Sequence, residues 1–132
     1  MIDVRVQAAD FEPGRQLARL GDLRKAALAS FIGRVEAGDE VAEILIDHHA
    51  SLARAELARI AGEGDARWSL AGIVLIHRHG RLAPGDRALF AAVAASDPTA
   101  AQEACAWLVA EMRRCAPFWR KEVLADGSAR WR

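Results

Sequence analysis

Residues 71–95 constrain the fold more than any other stretch. Residues 71–82 are rich in Ile and Val, Pro84-Gly85-Asp86 turns the chain, and residues 87–95 return as an apolar run. Two such runs about a Pro-Gly-Asp break read as one long strand and its antiparallel partner. Asp97-Pro98 follows at once, an N-cap with proline at the first helical position. Beyond it Ala101, Ala104, Cys105, Leu108, Met112 and Cys115 recur at spacings of three and four, an apolar stripe that Pro117 ends. A strand pair followed by a one-faced helix must bury that face against the sheet.

The remaining elements fit around this unit. Ile2, Val4 and Val6 alternate with Asp3 and Arg5, a half-buried strand. Pro13-Gly14 breaks the chain, and Leu17 with Leu20 marks a short helix ended by Gly21. Residues 26–35 alternate as a strand with a bend at Gly33, and 41–48 form another after the Gly38-Asp39 turn. Ser51 offers an N-cap to a helix whose face is Ala53, Leu57, Ile60 and Ala61, with Gly62 and Gly64 expected to stop it. Residues 119–124 and 129–132 bracket Asp126-Gly127 as a hairpin. The expected fold is α+β with a mostly antiparallel sheet and packed helices, in a single domain over residues 1–132.

Composition narrows the function classes. Hydrophobic residues are 52% and charged residues 27%, a globular balance, and eighteen basic side chains meet eighteen acidic ones. A nucleic-acid or anionic-membrane binder carries a basic excess, so neither partner is expected. No apolar run approaches the roughly 20 residues of a membrane span, and the first residues lack a basic-then-apolar signal. Cys105 and Cys115, ten apart and without a CxxC, point to buried thiols in a reducing, cytoplasmic setting. Sixteen of the basic residues are Arg, with Lys only at 25 and 121, and Ala occurs 29 times. This bias towards Ala and Arg bears on any role that needs a lysine.

Few residues suggest chemistry by themselves. His77 and His79 share one face of a strand, as a metal pair or as ordinary strand residues, while His48 and His49 point to opposite faces. No carboxylate or thiol completes a metal set. There is no Gly-x-Ser-x-Gly elbow and no phosphate-binding glycine loop. Arg113, Arg114, Arg120 and Lys121 read either as favourable charge at a helix C-terminus with a solvated strand, or as an anion site around Pro117-Phe118-Trp119.

An ordered set of motifs weighs in favour of the anion site. Ile76-His77-Arg78-His79-Gly80-Arg81-Leu82 with Pro84-Gly85-Asp86 resembles the I-H-R-x-G-x-L…G-[DE] segment of the large, catalytic subunit of molybdopterin synthase, MoaE. Glu103-Ala104-Cys105 and Ala116-Pro117-Phe118-Trp119-Arg120-Lys121-Glu122 are similar to that family's E-A-C and P-[FI]-W-K-[KR]-E. Phe31-Ile32-Gly33-Arg34-Val35 is similar to F-x-G-x-V-R, and Leu45-Ile46-Asp47-His48 to L-x-[YE]-E-H. The resemblance runs from about residue 11 to 131. It implies a hammerhead-type α/β fold and a homodimer. It also implies a ubiquitin-like partner, MoaD, whose C-terminal Gly-Gly thiocarboxylate supplies sulfur. Two transfers convert cyclic pyranopterin monophosphate into molybdopterin, and no further cofactor and no metal are implied. Arg34, His77 and Arg78 are the expected substrate-binding residues.

Such a site needs cations for a phosphate and for the tail, and a lysine that can shed a proton or form an adduct with the tail. At the family's two lysine positions this sequence has Arg113 and Arg120. The arginine expected after Val35 is Glu36, the expected His-Arg pair is Asp97-Pro98, and the family's stretch beyond its last tryptophan stops at Arg132. Guanidinium keeps the charge of lysine and not its proton chemistry. Lys121 is the one nearby lysine, and strand alternation turns it to the face opposite Arg120. The expected catalytic set is therefore Arg113, Arg120 and Lys121. Two readings follow: a synthase subunit working with that set, or a non-catalytic relative that binds or regulates a ubiquitin-like protein.

Overall fold

The computed structural model describes residues 1–114 and 118–131, so Cys115 and the helix-ending Pro117 lie outside the described residues. Among those described, the chain runs β1 (Ile2–Gln7), α1 (Pro13–Gly21), β2 (Ala27–Arg34), β3 (Val41–His48), α2 (Ala50–Trp68), β4 (Gly72–Arg78), β5 (Gly80–Leu82), β6 (Arg87–Ala95), α3 (Pro98–Arg114), β7 (Phe118–Leu124) and β8 (Ala129–Trp131). Two four-stranded sheets result, in orders β1-β4-β6-β2 and β5-β3-β7-β8. Among the described residues only the β1–β4 pairing is parallel. The fold is α+β and mostly antiparallel, as the patterning requires.

The first sheet is covered on both faces. Ala101, Ala104, Cys105, Leu108 and Met112 of α3 are buried with Leu57, Ile60 and Ala61 of α2 against Ile73, Leu75, Ala91 and Val93. Leu20 of α1 closes the other face over Val74, Ile76, Phe90 and Ala92. Strand β6 lies inside the sheet and is buried from Leu89 to Ala95, so its apolar row needs no second copy to cover it. The exposed large apolar residues of this sheet sit instead on its two edge strands, Ile2 on β1 at 49% and Leu28 and Ile32 on β2 at 42% and 41%. Asp97 caps α3 by accepting the Thr99 and Ala100 amides, each at 3.3 Å.

Two elements differ from the sequence expectation. Helix α2 begins at Ala50 with His49 as its N-cap residue and runs through Gly62 and Gly64 to Trp68. A Cβ on Gly64 would lie 3.1 Å from Leu108 Cδ2, so this glycine lets α2 and α3 approach closely. That tertiary contact outweighs the roughly 1 kcal/mol a helical glycine costs. The long strand at 71–82 is two strands. Gly80 takes φ +92°, and the chain leaves the first sheet there to pair with β3 in the second. A left-handed residue is the device that lets one apolar run serve two sheets.

Candidate functional site

The two sheets meet around Val35, Val41, Ile44, Ile46 and Leu82, with Ala88 and Phe118 packed on them. At this junction a cleft of about 280 Å³ opens, lined by Gly33 and Arg34 of β2, Ile46 of β3, His77 of β4, Ala88 and Leu89 of β6, Met112 and Arg113 of α3, and Phe118, Trp119 and Arg120 of β7. A second hollow shares Gly33, Arg34 and Arg113 and adds Glu36.

Each cation arrives by a different element. Arg113 is in the last turn of α3, with its guanidinium carbon 5.5 Å from the centre of the Phe31 ring. Arg34 follows the irregularity between Gly33 and Arg34 in the β2–β6 pairing and donates through Nε to the Gly85 carbonyl at 2.8 Å. Arg120 donates through Nη2 to the Glu36 carbonyl at 2.7 Å, while its Nε is buried without a hydrogen-bond partner among the described residues. A buried N–H left open in a cleft wall is a place for a ligand acceptor. Walls of Ile46, Leu89, Met112 and Phe118 lower the local dielectric, which strengthens guanidinium–anion attraction. The arrangement can hold a carboxylate or a phosphate.

Other expected site residues lie elsewhere. Arg78 turns to the opposite face of β4 from His77; its Nε and Nη2 donate to the Ala8 carbonyl at 3.1 and 3.0 Å, and its Nη1 to that of Arg87 at 2.9 Å. It ties the end of β1 to β6 and does not line the cleft. Lys121 extends its ammonium over Trp131, 5.5 Å from the ring centre, on the face of β7 away from Arg120. Asp97-Pro98 begins α3 and Arg113 lies near its end, so within one chain about 25 Å of helix separates that departure from the cleft. Arg113, Arg120 and Glu36 do gather around the two hollows.

Three of the four histidines, His48, His77 and His79, cluster in a way the sequence did not signal. His48 faces His79 with ring centres 4.0 Å apart, and His77 stacks on Phe118 at 3.6 Å. The pairing of His48 with Phe118 across β3 and β7 brings them together. No group of three or more potential ligands among the described residues has the geometry to hold a metal. Burial pushes the His77 imidazole down to about 4 from its ordinary 6.5. As pH falls below about 6.5 the unfolded chain takes up this proton first, so stability is full above that pH and is lost towards pH 4. Urea melts at about pH 7.5 and 4.5 should differ by about 2–3 kcal/mol from this group, and the difference should shrink by that amount in His77→Phe. An unchanged pH dependence in the variant would show that the imidazole is not desolvated.

The sequence profile of the family described as MoaE protein matches residues 6–114. The chain belongs to the MoaE family. The curated molybdopterin synthase catalytic subunit of Mesorhizobium japonicum is 38% identical over 129 residues, which cover 95% of this chain and 80% of that relative. A solved MoaE protein from Burkholderia ambifaria superposes with a TM-score of 0.86 at 34% identity, over 99% of this chain and 88% of its own. A chain from the Helicobacter pylori complex of subunits 1 and 2 of molybdopterin-converting factor shares the MoaE fold, with a TM-score of 0.73 at 14% identity, over 98% of this chain and 88% of its own. No helix of this MoaE-family chain is long and apolar enough, among the described residues, to cross a membrane.

Proposed function

We propose that this chain is a large subunit of molybdopterin synthase type that holds the C-terminal tail of a MoaD-type, ubiquitin-like partner in the cleft between its sheets. It works in the cytoplasm, and its sulfur transfer to cyclic pyranopterin monophosphate is weak. The observation that carries the reading is the cleft itself: Arg34, Arg113 and Arg120 line an otherwise largely apolar slot, and no lysine shares it. Guanidinia hold an anionic tail or phosphate well and cannot accept a proton near neutral pH. The tail is bound through Arg113 and Arg120, with Arg34 beside them for the substrate phosphate. Neither Arg78 nor Lys121 takes part, because both side chains are engaged outside the cleft.

Two arginines at lysine positions, with Glu36 tied through its carbonyl to Arg120, favour the binding role over the catalytic one. A second copy of the chain covers edge strand β2, where Leu28 and Ile32 stand exposed. Titration with a MoaD-type protein, followed by light scattering, tests both points. The expected result is a complex of two copies of each chain, lost when the partner's last two residues are removed or when Arg113→Gln and Arg120→Gln are combined. Binding that ignores the tail would overturn the cleft assignment, and a one-to-one mass would overturn the second copy.

A further inference from the structure

The cleft contains one side chain of opposite hydrogen-bonding character to its arginines. His77 Nδ1 lies 2.9 Å from the Arg78 carbonyl oxygen, which can only accept, so Nδ1 carries the hydrogen. Burial keeps the ring neutral at physiological pH. The tautomer is thereby fixed and Nε2 is left with a bare lone pair. Stacking on Phe118, with ring planes 10° apart, fixes the ring's orientation as well. Arg34, Arg113 and Arg120 offer only donors, and the remaining lining residues are glycine, apolar or aromatic. Among the lining side chains a ligand therefore meets several cationic donors and one imidazole acceptor. A fully deprotonated inorganic anion such as sulfate has no hydrogen to give and uses the donors alone. A peptide C-terminus uses both, because its last amide N–H sits one carbon away from the terminal carboxylate.

We propose that His77 is the specificity residue of this cleft: its Nε2 accepts the last amide N–H of a peptide tail whose terminal carboxylate is held by Arg113 and Arg120. The assignment rests on the reading of the cleft as a tail site and adds what selects a peptide end over an inorganic anion without a hydrogen to donate. It also gives His77 a binding role that Arg78, its neighbour on the other face of β4, does not share.

The test uses a MoaD-type protein with a free Gly-Gly carboxylate, made by semisynthesis with either an ordinary or an N-methylated last amide. Inorganic sulfate, which carries no hydrogen to donate, is the second probe. The unmodified chain should bind the ordinary tail about tenfold more tightly than the N-methylated one, the scale of one hydrogen bond in a desolvated site. His77→Phe, which keeps a ring to stack on Phe118, should bind the two tails equally and sulfate as before. Equal affinity of the unmodified chain for both tails would overturn the role of His77 without requiring any variant to fold. A tenfold N-methyl penalty that persists in His77→Phe would overturn it too. No measurable binding of the ordinary tail would overturn the cleft reading itself, and the His77 assignment with it.

Discussion

Replacing Arg113 and Arg120 together by lysine and adding Glu36→Arg should raise formation of molybdopterin by about 100-fold or more over the unmodified chain. General acid–base participation by a positioned side chain is worth about 10²–10⁴-fold, and an amine can be tuned into the working range where a guanidinium cannot. The two lysine replacements alone should recover little. Arg120 is held to the Glu36 carbonyl and Glu36 brings a carboxylate to the second hollow, so an anionic substrate meets repulsion there until that charge is reversed. Steady-state assays with a thiocarboxylated partner and cyclic pyranopterin monophosphate check this. A triple variant no faster than the unmodified chain would show that the arginines are not what limits it. Pro98→Arg should add only where a second copy brings its α3 N-terminus to this cleft, since its own lies at the far end of the helix.

Leu108→Ala should cost about 2–5 kcal/mol of stability. Leu108 is fully buried at the centre of the α3 stripe, and its Cδ2 would lie 3.1 Å from a Cβ on Gly64. The backbones of α2 and α3 are already close, so little neighbouring mass can move in to fill the space a leucine leaves. Chemical denaturation midpoints with an unchanged m value measure the loss. A cost below about 1 kcal/mol would mean that the two helices collapse onto the site more freely than their packing suggests.

The fold was legible wherever local chemistry and pattern agreed. Asp97-Pro98 starts α3 because the cap and the fixed proline dihedral are properties of two residues. The alternation over β2 and the Asp126-Gly127 turn between β7 and β8 are equally local. Features set by distant partners were not legible. Gly62 and Gly64 look like a helix stop, yet α2 runs through both, and α3 packs against Gly64. Residues 71–82 look like one strand because pattern does not reveal that Gly80 hands the chain to another sheet. The apolar run over 87–95 does not show which strand lies inside the sheet, and it is that position that buries β6.

The site divides along the same line. Motif spacing named Arg34, His77, Arg113 and Arg120, and these four come together from β2, β4, α3 and β7. Arg78 came with the same motif and Lys121 as the one nearby lysine; the two-residue period of a strand, which the sequence itself shows for Lys121, puts each on the other face. Asp97-Pro98 stood for a lost cation in the motif comparison, but a helix length keeps it from the cleft of its own chain. The stack of His77 on Phe118 depends on which strands are neighbours, and motif spacing alone does not contain that.

At the centre of the proposed function is a cleft that would bind a tail and has no lysine among its lining residues. A single-turnover reaction measures it most directly. The unmodified chain, saturated with thiocarboxylated partner, is mixed with cyclic pyranopterin monophosphate beside the Mesorhizobium japonicum relative under the same conditions. The account predicts a saturable complex and a molybdopterin yield rate at or below about 1% of the relative's, the lower end of what a general acid–base group supplies. Turnover equal to that of the relative would contradict it.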